Sequence, residues 1–361
     1  MKMRVIGTLV IGLSSTLLLS GCFFEGEQSI EKMDAPQDVD YIDKNSGEAD
    51  KNAGETAEDT NKEASEEATG TTSRQLYLLD ANGMVVPQTL QLPNIASKEV
   101  ATQSLEYLVK GGPVTELLPN GFEAVLPAGT EILGLNLKDG TMIVDVSKEF
   151  ADYAPEDEQK ILQAMTYTLT QFDSVERIKL WINGHEQEVM PVNGTPISSG
   201  VSRADGINVY ASDDADPVDS KAVTLYYPAQ NDKQEFYYVP VTTHLNTKED
   251  QSYESIVQAL VEGPAFDLPL LSAFNDEAEL KGTSLKDGVL TLSFNEALLS
   301  NQKKQSVSEH VMKSLVMTMT ERPDVKAVEV QVDGVDQVYN EEGSPYAEPV
   351  TRNDITGADS L

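Results

Sequence analysis

One cysteine, one tryptophan and three histidines in 361 residues leave little material for the commoner chemistries. With Cys22 as the single thiol, no internal disulfide can form, and stability must come from packed cores. Zinc sites need nitrogen and sulfur ligands at close spacing. His185, His244 and His310 are far apart and have no cysteine partner, so no metal and no cofactor is expected. Positive charge is scarce as well, with 26 Lys and Arg against 60 Asp and Glu and a formal net charge of −34. Such a chain is repelled by nucleic acid and anionic surfaces at long range and is kept soluble. No apolar run reaches the roughly twenty residues that a spanning helix needs.

What is present begins with the placement of that one thiol. A charged start (Lys2, Arg4) precedes an apolar stretch from Val5 to Leu19 and then small residues, the pattern of an export leader. Leu19-Ser20-Gly21-Cys22 fits a bacterial lipobox, in which the thiol is lipidated and the leader is cut before it. Residues 1–21 are therefore expected to be a signal peptide and Cys22 a lipid tether. Several acyl chains anchor stably where one does not. The expected location is the outer face of a cell membrane. From 22 to 73 the chain is acidic, and residues 47–73 contain no aromatic and no branched aliphatic side chain. A segment that buries so little cannot offset its ordering entropy and is expected to be a disordered stalk.

The remaining 288 residues, 74–361, contain an internal repeat. "RQLYLLDANG" (74–83) lies beside "AVTLYYPAQN" (222–231), and "SLEYLVKGGP" (104–113) beside "SIVQALVEGP" (255–264). "LNLKDGTMIVDVSKEF" (135–150) lies beside "TSLKDGVLTLSFNEAL" (283–298), and "TLTQFDSVERIKLWING" (168–184) beside "TMTERPDVKAVEVQVDG" (318–334). The offsets stay within 148–151 residues and the order is kept. This predicts two domains, 74–209 and 222–350, joined by a polar linker at 210–221 and followed by a tail at 351–361.

Each unit reads as α+β. A short strand (76–79) leads to a helix (98–110) stopped by Gly111, Gly112 and Pro113. Two strands (132–137, 142–146) flank Lys138-Asp139-Gly140, where Asp-Gly favours a tight hairpin. A second helix (155–171) opens on proline and acids as its dipole prefers, and a strand (178–182) ends at Asn183-Gly184. The second unit repeats the order with strands at 222–227 and 236–240, a helix at 251–262, a hairpin at 280–294, a helix at 305–321 and a strand at 326–332. The expected architecture is two tandem repeats, each two helices packed on one face of a three- or four-stranded sheet.

No catalytic constellation emerges. "HEQE" (185–188) lacks the second histidine of a zinc-protease helix and follows a turn. Ser300 and Lys303 form a Ser-x-x-Lys pair without the companion elements that penicillin-recognising enzymes need. "DDADPVD" (213–219) lacks the glycine and terminal glutamate of a calcium loop. No phosphate loop or nucleophile elbow is present. The repeated Lys-Asp-Gly and Gly-Pro serve backbone geometry, and the chain is not expected to be an enzyme.

The lipobox, the acidic stalk and two units of helix, Gly-Pro, Lys-Asp-Gly hairpin and "VDVSKEF" together resemble the GerMN-domain family of sporulation and germination lipoproteins. The resemblance spans residues 1–350; "LSFNEAL" in the second unit departs from it. It implies a fold similar to the ring-building motifs of secretion systems and a place on the mother-cell membrane around the forespore. It further implies a non-enzymatic role supporting the complex that joins the two membranes. Partners would be exported membrane proteins, with no nucleic acid, and the acidic body alone is expected to be monomeric. The alternative is a peptidoglycan-binding or wall-remodelling accessory, with Tyr226, Tyr227, Phe236, Tyr237 and Tyr238 stacking on sugars.

Overall fold

The computed structural model describes residues 70–95, 99–210, 220–246 and 252–357. Cys22, the expected leader, residues 22–69 of the expected stalk and 211–219 of the expected linker lie outside them. All described residues fall in one compact unit, Ala64–Leu361.

The first repeat opens with strands β1 (Thr71–Asp80) and β2 (Val85–Pro93), a hairpin whose nine paired residues run from Thr71↔Pro93 to Leu79↔Val85. Helix α1 (Val100–Glu106) follows, then β3 (Phe122–Glu123), which pairs with the end of β1. Strands β4 (Ile132–Lys138) and β5 (Thr141–Val146) form the second hairpin. Helix α2 (Glu158–Leu169) carries the chain to β6 (Arg177–Ile182), which lies parallel to β5. Two short strands, β7 (His185–Glu186) and β8 (Val201–Ser202), close the outer edge of β6.

The second repeat follows the same route. Its hairpin is β9 (Ser220–Gln230) with β10 (Phe236–Asn246), and α3 (Ser252–Glu262) comes next. Strands β11 (Leu280–Lys286) and β12 (Val289–Phe294) are followed by a small ladder of β13 (Leu299–Asn301) with β14 (Ser306–Val307). Helix α4 (Glu309–Met319) leads to β15 (Ala327–Val332), parallel to β12; β16 (Val350–Thr351) and the short α5 (Arg352–Thr356) end the described chain.

The tandem α+β reading therefore holds, with a different sheet arrangement. The main sheet has five strands in the first repeat and four in the second, and the opening hairpins form separate small sheets. Helices α2 and α4 bury residues around much of their circumference, because a main sheet lies on one side and a hairpin on the other. Strands β5 and β12 show the same alternating burial, as a sheet covered on one face requires. Asp139 and Asp287, at φ 48° and 52°, adopt the left-handed backbone that an Asp-Gly hairpin demands.

Boundaries shift for local reasons. The expected helix 98–110 is only Val100–Glu106, because Leu108 accepts hydrogen bonds from Val125 and Leu126 and turns the chain toward that segment. The expected helix 305–321 begins at Glu309, since Ser306 and Val307 are paired as β14 and Ser308 caps the helix. The expected linker 210–221 is structured at both described ends. Tyr210 N–H binds the Thr242 carbonyl, and β9 begins at Ser220. The expected stalk likewise ends early, with Thr71–Ser73 already in β1. The expected tail 351–361 is corrected most, because Thr351–Thr356 complete the second repeat.

Candidate functional site

The most elaborate constellation of side chains lies at the seam between the repeats. It starts from two short turns of similar sequence, Ser202-Arg203-Ala204-Asp205 and Thr351-Arg352-Asn353-Asp354. Each is a capping box. Asp205 accepts from Ser202 N–H at 2.7 Å and Asp354 from Thr351 N–H at 2.9 Å, while Ser202 and Thr351 return their side-chain oxygens to the turn. The turns fix the backbone from which each arginine projects.

Both guanidiniums fold back on the end of the second helix of their own repeat. Arg203 donates from Nε to Thr170 Oγ1 (2.9 Å) and from Nη2 to the Tyr167 carbonyl (3.3 Å). Arg352 donates from Nη1 to Thr320 Oγ1 (3.2 Å) and to the Met317 carbonyl (2.9 Å). Cations at helix C-termini satisfy terminal carbonyls and the negative end of the dipole. Each also covers a tyrosine ring, Arg203 over Tyr167 at 4.5 Å and Arg352 over Tyr226 at 5.0 Å.

The two arginines then meet on one carboxylate, Glu321. Arg203 Nη1 reaches its oxygens at 2.9 and 3.1 Å, Arg352 Nη2 lies 3.0 Å from Oε1, and Tyr226 OH donates to Oε1 at 2.6 Å. Burial opposes the charge on Glu321, but the flanking arginines outweigh it and hold its pKa at about 2. Burial likewise opposes both guanidinium charges. For Arg203 the facing carboxylate dominates, for Arg352 the Tyr226 hydroxyl together with that carboxylate, and both pKa values are pushed up. Arg203 belongs to the first repeat and Glu321 to the second, so this is an ionic clamp across the seam. It borders a groove of about 700 Å³ lined by both repeats.

Three further contacts fasten the same seam. Asn208, with φ 46°, uses its side chain as a peptide would. It accepts from Val85 N–H (2.9 Å) and donates to the carbonyls of Val85 and Pro240 (2.8 Å each), linking β2 to β10. Ile207 exchanges hydrogen bonds with Thr242, and Gly206, at φ 83°, lies so close that a Cβ there would sit 3.0 Å from Thr242. At the hairpin tips, Tyr237 OH donates to buried Asp80 at 2.9 Å and its ring meets Phe122 edge-on at 5.1 Å. Buried apolar residues of both repeats form one continuous core.

The residues weighed from sequence are not brought together. His185 is exposed on β7 and His244 exposed on β10, while His310 Nδ1 pairs with Tyr238 OH at 2.7 Å. Among the described residues no group of His, Cys, Asp or Glu is spaced to hold a metal. The Ser300 hydroxyl donates to the Ser306 carbonyl. Buried Glu158 is consumed structurally, accepting from Asn193 N–H, Thr195 N–H and hydroxyl, and Tyr153 OH. Of the aromatics proposed to stack on sugars, Tyr226, Tyr227 and Tyr237 are core residues, and only Phe236 is about half exposed. No described helix is long and apolar enough to cross a membrane.

Arg203, Arg352 and Glu321 are absent from the sequence-derived candidates. The signal was available as a fifth repeat match, "GVSRADGI" (200–207) beside "PVTRNDIT" (349–356), at an offset of 149, within the range of the others. It is short, and it lies in segments assigned to a domain end and a tail.

Comparison with known proteins agrees with the repeat. Residues 75–188 and 224–338 match the family described as Germane, sporulation and spore germination. Over 359 residues, 96% of each chain, the sequence is 45% identical to the spore germination protein GerM of Bacillus subtilis (strain 168). The solved tandem GerMN domains of the sporulation protein GerM from Bacillus subtilis superpose with a TM-score of 0.72 at 46% identity, over 78% of this chain and 97% of that one. Neither description names a catalytic activity. Two complete units, duplicated in order and matched at this identity over nearly their whole length, place the chain in the Germane family of sporulation and spore germination proteins, with two GerMN domains in tandem.

Proposed function

We propose that the chain serves sporulation and germination as a non-enzymatic assembly factor, tethered by lipid at Cys22 to the outer face of the mother-cell membrane. There it supports the complex that joins mother-cell and forespore membranes, through exported membrane proteins. The observation that carries this reading is the ionic clamp of Arg203, Glu321 and Arg352, which turns two GerMN domains into one body. Two docking surfaces held at a fixed spacing bind a multisubunit partner with less ordering cost than two domains on a loose linker. The relative's printed role in spore germination supplies the process.

The test is affinity capture of the tagged chain, crosslinked in membranes of sporulating cells after engulfment. Recovery of components of the intermembrane complex, lost on Cys22→Ala or on deletion of 23–73, is the expected outcome. Recovery of wall synthases and hydrolases instead, together with sedimentation of the purified chain with sacculi, would replace it with a wall-binding role.

A further inference from the structure

The two main sheets differ at one edge. In the first repeat every outward-facing residue of β6 is met at its outer edge by at least one backbone partner. Ile182 pairs with His185, Trp181 with Glu186, Ile178 with Val201 and Arg177 with Ser202, and the Leu180 carbonyl accepts from Gln187 N–H. Leu180 corresponds to Val330 of β15, since each faces the same point of the preceding parallel strand (Val144 and Leu292).

In the second repeat that edge is filled at both ends only. Val328 pairs with Val350, and the Val332 carbonyl accepts from Val335 N–H. Backbone groups alternate sides along a strand, so Val330 presents its N–H and C=O to this same edge. Among the described residues, no backbone group meets them there. The limb at 345–348 that could have closed the gap is held elsewhere. Tyr346 N–H binds the Val338 carbonyl and Gln337 Nε2 binds the Tyr346 carbonyl. Between limb and strand lies a cleft of about 340 Å³.

Among the described residues, four carboxylates line this cleft, Glu329, Asp333, Asp336 and Glu348, and no Lys or Arg does. None of the four is in an ion pair among the described residues. The residue opposite Val330 would point its side chain to the helix-covered face, toward Met312 and Val338. Its neighbours would point to the open face, where Glu329 stands.

We infer that the cleft beside Val330 is a docking slot for a short extended segment of a partner protein with the pattern basic–apolar–basic. The middle residue exchanges two backbone hydrogen bonds with Val330, as added strands do at open sheet edges. The basic residues meet the carboxylates, so charge sets the choice of segment. The slot deepens the assembly-factor reading, on which it rests for the partner being a protein, by naming one place and one chemistry of contact.

The test uses the full chain in detergent and a capped peptide, Gly-Lys-Val-Lys-Gly, with hydrogen exchange read at the Val330 amide. Rapid exchange in the free chain, slowed at least tenfold by millimolar peptide, is expected; Gly-Glu-Val-Glu-Gly should have no effect. Glu329→Lys/Glu348→Lys, two substitutions outside the core, should weaken the peptide at least tenfold. An amide already protected in the free chain, equal protection by the acidic peptide, or unchanged affinity in the charge-reversed chain would overturn the slot. Capture of membrane partners in cells that persists in the charge-reversed chain would remove the slot and leave the assembly reading standing. Loss of all capture with peptide binding intact would remove the assembly reading alone.

Discussion

The two repeats treat the same junction differently. In both, the same backbone N–H ties the opening hairpin to the second helix, Tyr77 N–H to Thr168 Oγ1 (3.1 Å) and Tyr226 N–H to Thr318 Oγ1 (3.0 Å). In both, an arginine from a capping-box turn closes the helix C-terminus. Just past the helix they part. Glu321 of the second repeat gathers both arginines, whereas its counterpart Gln171 donates to the Gln75 and Thr168 carbonyls within the first. The hydroxyl of Tyr226 reaches Glu321, while that of Tyr77, equally buried, has no hydrogen-bond partner among the described residues. Contacts that fold a unit are kept twice, and the contact that joins the units is made once.

The largest expected effect comes from removing that asymmetry's centre. Glu321→Gln leaves two partly buried guanidiniums facing a neutral amide and should cost about 3–5 kcal/mol, the range for breaking a buried pair. Gln171→Ala should cost about 1 kcal/mol, the net worth of ordinary hydrogen bonds. Urea unfolding of the two variants measures both. Equal losses would mean that the clamp adds nothing beyond packing.

Acid gives the same comparison without mutation. The pKa of Glu321 is depressed from an ordinary 4.5 to about 2. Its contribution is therefore fully present above about pH 4.5 and disappears as pH falls toward 2, on the order of 3 kcal/mol in all. The stability difference between the parent chain and Glu321→Gln should shrink across that window. A difference that stays constant from pH 5 to pH 2.5 would show that the carboxylate charge is not what binds the seam.

Asn208→Ala removes the three side-chain bonds between β2 and β10 and should cost about 2 kcal/mol through the backbone groups it leaves behind. Gly206→Ala forces a side chain into the left-handed region and against Thr242, for about 1–3 kcal/mol. Both should couple to Glu321→Gln in a double-mutant cycle, because they act on one interface. Strict additivity would argue for separate local effects.

A matched pair of substitutions tests the likeness of the repeats. Thr168→Val and Thr318→Val each remove one hydroxyl partner of a buried tyrosine N–H and should cost about 1–2 kcal/mol apiece, equally within error. A loss confined to one of them, read by the same unfolding curves, would show that the two cores have diverged in what they depend on.

Much of the fold was legible because it repeats. Asp139-Gly140 and Asp287-Gly288 announce their hairpins by chemistry that only φ > 0 explains, and β5 and β12 alternate as half-buried strands must. The ends of elements were less legible, since Ser306 and Val307 look like helix and become strand only by meeting β13. Strand β2 was missed although its counterpart β10 was expected, because Pro87 and Pro93 weaken the strand signal. The arginines of the clamp sit past the ends of the recognisable units, where a short Ser/Thr-Arg-x-Asp match carries little weight without a partner.

The sequence by itself determined the duplication and the order of the main helices and hairpins in each unit, because periodicity, turn chemistry and repeat register are written locally along the chain. Only the tertiary structure decided that the units share one core, that Arg203 meets Glu321 across 118 positions, and that Val330 faces an open edge while Leu180 does not. Those outcomes depend on which surfaces touch. An ionic clamp and an unfilled sheet edge are properties of proximity, and residues distant in sequence acquire them only when packing brings them together.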